Sequence, residues 1–419
     1  MRNRLGLAAG TEPVIHYMTT MGVGGAWVAN ELRVLKREGI PFTLHSLRKP
    51  DMTFYSAEDI ATFDRETRTL YPLKKALFLK DLALAPFYHH TRFFAALWNA
   101  LTGKRETPRA RIAGIWHLAL ACHWVASLRN QPVTHIHSQW AHSGATVAMY
   151  GAWLLNKPFS FTGHAVDLFR DRAALSDKIK RADFIVCISE FHRQFFLENG
   201  AREDQLFIAY CGIDTSLFTP SDTPRDADAP FHILSSGRLV EKKGFAVLIE
   251  ACRLLKERGT DVRCTIVGSG PLEDDLRAAV HDAELDEAVT LTGKPIAQED
   301  LPDFMASGDV YCLPCVWAKD NDVDGLPMML MEATACGLPA VSTRLVGIPD
   351  LIRDGETGLL VNPEDAAALA DALQRLAGDR ALGARLAKAG RTHVLDRFNI
   401  ETCLEPLVSR YRAALEKNS

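Results

Sequence analysis

The chain of 419 residues is short of most things that would mark it as specialised. It has no strong charge of one sign, since its formal net charge is −4, and no nucleic-acid partner is expected of it. Gly (28) and Pro (20) are not in excess, which excludes collagen-like and low-complexity classes. No short-period repeat occurs. The nine cysteines are odd in number and follow no repeated spacing, so reduced thiols fit better than a disulfide framework. Long hydrophobic runs are missing too. The run Ile112 to Leu128 is broken by His117 and His123 and falls short of the roughly 20 apolar residues of a spanning helix, so it reads as a buried helix. Met1 to Gly10 carries two arginines but no apolar run before a cleavage site, so no secretory signal is read there. The expected location is cytoplasmic, peripheral on the inner face of the cell membrane.

What the chain does have is length and alternation. At 419 residues it exceeds one core, and two domains are the default. Charge divides along it. Residues 1–215 carry 26 Lys+Arg against 19 Asp+Glu, a balance of +7, and the rest of the chain carries 22 against 33, a balance of −11. Much of the basic excess lies between Arg68 and Arg111, interleaved with Phe78, Phe87, Tyr88, Phe93, Phe94 and Trp98. Such a segment suits an anionic membrane surface, or equally an ordinary helical pair covering a sheet.

Short β-branched runs alternate with longer helical patterns, as in parallel sheets. Strands are predicted at Val14–Met18, Phe42–Leu47, Val133–His137, Phe159–Thr162, Phe184–Ile188 and Leu206–Ala209, with helices at Gly25–Glu38 and Ser143–Leu155. A polar linker, Thr219 to Pro230, interrupts the pattern. It restarts with strands at Phe231–Ser235, Val262–Val267, Val289–Leu291, Val310–Leu313, Ala340–Ser342 and Gly358–Val361. Helices follow at Phe245–Lys256, Leu272–Asp282, Met328–Cys336 and Pro363–Leu376, and a last one at about Ile400–Lys417. The division is 1–215, 216–395 and a helical tail 396–419 that packs back on the first domain. Ligands of such sheets bind beyond the carboxyl ends of the strands, so function is sought in the loops there.

Four clusters occupy such loops. In Asp324-Gly-Leu-Pro-Met-Met-Leu-Met-Glu332, Pro327 opens a helix whose free amides at Met328 and Met329 favour an anion such as a diphosphate. Glu332, one turn in, suits two vicinal hydroxyls such as those of a ribose, and Asp324 suits the hydroxyls of a sugar. Gly237-Arg238 to Lys243-Gly244 places two cations where they would steady a departing diphosphate without a metal. Phe161-Thr-Gly-His164-Ala-Val-Asp167 offers His164 to a sugar or to a developing charge. Met21-Gly-Val-Gly24-Gly25 lets backbone approach a ligand, but Trp27 occupies the third glycine position of a dinucleotide fingerprint. Gly268-Ser-Gly270 fails the same test at Glu273. Asp320-Asn-Asp322-Val-Asp324-Gly325 imitates a calcium loop, but its twelfth position is Met331 and Pro327 interrupts it. Cys312-Leu-Pro-Cys315 is half a zinc site without a second pair, so buried thiols are expected. His135 and His137 share one face of a strand with His142 nearby, and binding a metal, lining a cleft or satisfying buried hydrogen bonds are all open to them.

Taken together, Gly237-Arg238, Lys243-Gly244, Val267-Gly268-x-Gly270, Leu291-x-Gly293 and Asp324-Gly-x-Pro with Glu332 resemble a GT-B-fold glycosyltransferase of the large retaining family 4. Val133 to Phe169 and Tyr210-Cys-Gly-Ile-Asp214 are similar to bacterial exopolysaccharide transferases of the colanic-acid type. The resemblance is weakest between about Met52 and Arg111. It implies an α/β fold of two Rossmann-like, doubly wound domains facing across a cleft, the first for the acceptor and the second for the donor. It implies that Glu332 binds the ribose, that Arg238 and Lys243 bind the diphosphate, and that the backbone from Gly293 to Ile296 holds the base. Leu326, Met328 and Met329 join the donor site. His164 and Asp324 are the candidate catalytic residues, and His164 with Gly24 and Gly25 approaches the donor sugar or the acceptor. The donor is a nucleotide-sugar co-substrate, no further cofactor or metal is implied, and the acceptor is a lipid-linked oligosaccharide or polysaccharide. The family pattern is Glu-x7-Glu, and Asp324 departs from it by one methylene. A same-fold epimerase, a sugar phosphorylase or a non-catalytic sugar-nucleotide binder is the alternative.

Overall fold

The computed structural model describes residues 13–23, 25–49, 58–220, 229–297 and 300–417. Gly24, the first ten residues and positions 221–228 of the linker lie outside the described residues. The chain divides into two compact units, one comprising the residues up to Tyr210 together with those from Leu404 onward, the other Cys211–Cys403.

The first unit is built on a seven-stranded sheet of β1 (Ile15–Met21), β2 (Phe42–Arg48), β3 (Arg68–Thr69), β4 (His135–Gln139), β5 (Phe159–Gly163), β6 (Phe184–Cys187) and β7 (Leu206–Ile208). All pairs are parallel, in the order β3-β2-β1-β4-β5-β6-β7. The second unit has a six-stranded parallel sheet of β8 (Phe231–Ser236), β9 (Val262–Val267), β10 (Val289–Leu291), β11 (Val310–Leu313), β12 (Ala340–Thr343) and β13 (Leu359–Val361), in the order β10-β9-β8-β11-β12-β13. Each order reverses once, between β1 and β4 in the first sheet and between β8 and β11 in the second. The strands that diverge there open a crevice at their carboxyl ends, where doubly wound sheets take ligands.

The central strands β4 and β8 are buried on both faces between helix layers, although His135, His137, Ser138 and Gln139 in β4 and His232, Ser235 and Ser236 in β8 are polar. Helix Ser143–Leu155 is buried on almost every side, with Gly144, Ala145, Ala148, Gly151 and Ala152 letting it lie close to the sheet and to Trp124. Tyr411 of the returning segment donates to the Tyr17 hydroxyl in the same core. The expected strands stand within two residues of their predicted bounds, the usual scatter at element ends, except that β1 runs three residues past Met18 to Met21. Several elements have no counterpart in the sequence reading, among them β3 and the helices Leu301–Ala306, Ile348–Leu351 and Arg380–Arg397. The two-residue β3 is too short to carry a pattern. Helix Arg380–Arg397 buries a face made partly of Gly383, Ala387 and Gly390, which leaves little apolar periodicity to read.

The basic stretch forms helices Lys75–Thr102 and Pro108–Ser127, which pack on each other. The first is broken at His90 (φ 45°), four residues past Pro86. The second is buried from Leu118 onward but exposes Ile112, Ile115 and Trp116, so only its later part is the buried helix expected. Among the described residues no helix is long and apolar enough to cross a membrane.

Candidate functional site

In the second unit the crevice is walled by the turn after β8 and the loop after β11. Gly244 has φ +69°, and a Cβ there would stand 1.8 Å from the Pro314 oxygen, so this close crossing of the two loops requires glycine. It holds Lys242 and Lys243 against the loop that carries Asp324. Lys243 Nζ meets Asp324 Oδ2 at 2.6 Å, and Lys242 Nζ lies 3.2 Å from both Asp324 Oδ1 and Asp322 Oδ1. These side chains are all less than 20% exposed, with 15% for Lys243 and 13% for Asp324. Burial pushes the Asp324 carboxyl up, but Lys243 and then Lys242 outweigh it and hold it below the ordinary range. Burial likewise opposes the charge on Lys243, and Asp324 outweighs that too, so the ammonium is held above its usual value. Arg238 is exposed and near enough to weigh against the Lys243 charge. The sequence reading puts Lys243 on a diphosphate and Asp324 on a sugar. In this structure each is the other's partner, and Lys242, not singled out beforehand, shares the carboxylate. The Asp320–Asp322 turn is closed by Asp322 N–H donating to Asp320 Oδ1, with Lys242 as its counter-charge. Cys312 and Cys315 are buried thiols, and Cys315 Sγ donates to Asp324 at 3.7 Å.

Glu332 lies in helix Met328–Ala335, which follows this loop. Pro327 is its N-cap, one position earlier than expected, so the helix starts at Met328. Leu330 N–H makes the first bond, to the Pro327 oxygen, and the amides of Met328 and Met329 precede it at the positive end of the helix. Leu326 is buried beside them. Glu332 is only 6% exposed, and its Oε2 has no hydrogen-bond partner. Burial alone raises its carboxyl to about 7. An unpaired buried carboxylate oxygen costs several kcal/mol when charged, on the order of 1–3 even when neutral, and is kept where a ligand completes it. The cations of the neighbouring turn are not among the causes of its shift, which sets Glu332 apart from the lysine pair. Tyr311 lies near enough to Glu332 to feel its charge. Its hydroxyl meets Ser236 Oγ at 2.9 Å at the end of β8, and its phenol is pushed up by burial, with the Glu332 charge adding to the effect. Gly293 (φ +66°) and the half-buried Ile296 lie in the loop after β10, two strands from β8 at the sheet edge. Arg277 braces this loop by donating to the Leu291 oxygen at 3.2 Å.

In the first unit His164 follows β5 and is 7% exposed. Gln139 Nε2 donates to Glu31 Oε2 at 2.7 Å, and Tyr17 donates to the other oxygen of the same carboxylate. The Gln139 amide oxygen therefore faces His164 Nε2, at 3.1 Å. That orientation puts the imidazole hydrogen on Nε2 and leaves the lone pair on Nδ1. Burial, then His192 and His142, lowers His164 to about 3, so the ring is neutral near pH 7. Burial raises Glu31 to about 7 against the two donors. Asp167 accepts from the amides of His164 (2.9 Å) and Ala141, and its neighbour Lys178, fully buried, donates to the Ala141 oxygen at 2.6 Å. Between these clamps Trp140 adopts φ +68°, with its carbonyl accepting from Ser138 Oγ at 3.3 Å. For a bulky residue that conformation costs about 1–3 kcal/mol and persists only where the surroundings enforce it. Gly25 is extended, and a Cβ there would stand 2.7 Å from the Trp27 ring, so its small size makes room for an indole. His135 and His137 share Ser160 Oγ at 2.6 and 2.8 Å, and His137 also meets Thr162. Both nitrogens of His137 are thus paired in the sheet core, whereas His135 Nδ1 is buried without a partner.

Residues 222–393 match the family model described as glycosyl transferases group 1, and residues 82–217 match the model Glycosyltransferase Family 4. The chain is 38% identical over 219 residues to the amylovoran biosynthesis glycosyltransferase AmsK of Erwinia amylovora, covering 52% of this chain and 53% of that protein. It is 36% identical over 239 residues to the putative colanic acid biosynthesis glycosyltransferase WcaL of Escherichia coli K12, covering 56% and 57%. The matches thus span about half the length of these curated relatives. The solved structure of Anabaena Alr3699/HepE in complex with UDP superposes with a TM-score of 0.71 at 16% identity, over 96% of this chain and all of that one, and supports the fold.

Proposed function

We propose, from the premise that this chain belongs to the group 1 glycosyl transferases with a family 4 region before it, that it transfers a sugar from a nucleotide-diphosphate sugar during exopolysaccharide assembly. The observation that carries this reading is the buried, unpartnered Oε2 of Glu332, one turn into the helix that follows the Asp324 loop. A ribose donates two hydroxyl hydrogens to such a carboxylate. The amides of Met328 and Met329 take the diphosphate with Arg238 and Lys243, and these cations steady it as it leaves, without a metal. Lys243 then exchanges Asp324 for phosphate oxygen, or bridges the two. Gly293 to Ile296 frame the base. The anomeric configuration is retained, the acceptor is a lipid-linked saccharide, and His164 in the first unit serves as a neutral hydrogen-bond partner for a sugar. A uridine nucleotide is the first donor to try, because Alr3699/HepE was solved with UDP.

Helices Lys75–Thr102 and Pro108–Ser127 support attachment to an anionic membrane surface. They expose Phe87 (73%), Phe94, Trp98 (69%) and Ile112 among Lys74, Lys75, Lys80 and Arg92. The test is incubation with radiolabelled nucleotide sugars and extracted membrane lipids. Label in the lipid fraction, with release of nucleoside diphosphate, is the expected result. Conversion of the donor to an epimer with no transfer, or binding with no turnover, would refute it.

A further inference from the structure

We infer that Trp140 and Trp27, at the switch point between β1 and β4, form a platform for the face of a pyranose ring. The inference rests on the transferase reading above and adds to it a subsite in the first unit. Trp140 follows β4 directly, and Trp27 lies in helix Ala26–Arg37, which follows β1, so the divergence of the two strands brings the indoles together. They meet edge to face at 6.3 Å and 75°. Trp140 also lies parallel to His142, at 6.4 Å and 1°, and 5.6 Å from His164. Neither indole is sealed into the core, whereas Trp124 nearby is fully buried.

Two further observations separate this cluster from ordinary packing. The first is the left-handed backbone of Trp140, which is held by Ser138 on one side and by the buried Asp167 and Lys178 on the other. Packing alone gives no reason to put the bulkiest side chain at a position that glycine fills without strain. The second is Trp27 Nε1, which is buried and has no hydrogen-bond partner. An indole N–H is a donor only, so it calls for an acceptor, and the oxygen of a sugar hydroxyl is one. A pyranose suits the whole set. Its ring C–H groups are apolar and pack on an aromatic face, while its rim hydroxyls pair with N–H donors and with neutral imidazoles that both donate and accept. Thr20 Oγ1, 3.1 Å from His142 Nδ1, orients one of these imidazoles.

The ring has two sources, the donor sugar or the acceptor saccharide, and the experiment separates them. Wild type, Trp140→Ala, Trp140→Gly, Trp140→Phe and Trp27→Phe are titrated with UDP, GDP and ADP and with their hexose conjugates. They are also examined by saturation-transfer NMR with methyl α- and β-hexopyranosides in the presence of the diphosphate that binds. Trp140→Gly relieves the backbone strain, so it stays folded even if the alanine variant does not. The expected result is pyranose binding that weakens about tenfold in Trp140→Ala and Trp140→Gly, is mostly kept in Trp140→Phe, and falls by a smaller factor in Trp27→Phe, with nucleoside diphosphate affinity unchanged. If the ring belongs to the donor, the loss is seen as nucleotide sugar binding no better than bare diphosphate. If it belongs to the acceptor, the loss is seen in the methyl glycoside spectra. Intact diphosphate binding without a Trp140-dependent pyranose signal from either source overturns the platform alone. Wild type that binds no nucleoside diphosphate overturns the transferase reading, and the platform falls with it.

Discussion

Glu332→Gln should make the free protein more stable and its donor complex weaker, two effects of opposite sign from one atom. The carboxyl is raised from its ordinary 4.5 to about 7 by burial. Each pH unit between those values corresponds to about 1.4 kcal/mol, so the charged side chain costs the native state about 3 kcal/mol. The sign follows from the direction. A carboxyl raised by folding contributes fully below pH 4.5, and that contribution is lost as pH rises through 7. Glutamine keeps the volume and does not titrate. Its own unpaired polar atom costs about 1 kcal/mol, leaving a net gain of about 2 kcal/mol at pH 8 and little or none at pH 4.5. For a unit the size of Cys211–Cys403 that is about 4–8 °C in Tm. Donor binding runs the other way. One acceptor for a ribose hydroxyl becomes a donor, and a hydrogen bond to a charged group is worth about 1.5–3 kcal/mol, so nucleotide-sugar affinity falls by about 10- to 150-fold. Donor affinity of the wild type also rises between pH 6 and 8, with proton release near pH 7, and the variant shows neither. Scanning calorimetry and titration calorimetry in two buffers read all of these. A Tm at pH 8 no higher than that of the wild type, or unchanged donor affinity, would refute the reasoning.

Lys243→Met should destabilise the protein by about 1–3 kcal/mol as well as abolish donor binding, because it leaves the buried Asp324 carboxylate with Lys242 as its remaining ammonium partner. Adding Asp324→Asn should restore most of the stability and none of the donor binding, and denaturant melts with ligand titrations of both variants separate the two roles. Vesicles containing anionic lipid should bind the protein several-fold better than neutral ones at low salt, and Phe94→Ser with Trp98→Ser should lower that binding without moving nucleotide affinity; equal sedimentation with both lipids would count against the basic, apolar helices as the docking face.

The strands could be read in the sequence because a buried parallel strand is a short β-branched or apolar run, and Val310–Leu313, or Val262–Val267 despite its exposed Arg263, stands between polar segments on both sides. Helices with one apolar stripe, such as Phe245–Glu257, were as plain. What escaped depends on contacts far apart in sequence. Nothing local to Gly383, Ala387 or Gly390 announces that small residues form the buried face of a helix. Nothing local to Arg68–Thr69 announces a strand that exists only through pairing with His45 and Ser46.

The same distinction explains the site. Glu332, Lys243 and Asp324 stood out because each lies in a strand-to-helix loop with glycine or proline beside it. Their relation did not, since it is set by the crossing at Gly244 and Pro314, which brings residues some eighty positions apart within a hydrogen bond. That crossing changes what the Glu-to-Asp departure means. With both its oxygens taken by lysines, the shorter side chain at 324 holds cations at the mouth of the crevice, ready for a phosphate that offers stronger charge than one carboxylate. Lengthening it, as Asp324→Glu, would move the carboxylate by one methylene between two ammonium groups already near 3 Å. The restored family residue is therefore expected to lower donor affinity here, unless Lys242 yields its place. Titration of Asp324→Glu with and without Lys242→Met decides between the two. Tighter binding by the single variant would mean that residue 324 contacts the sugar after all.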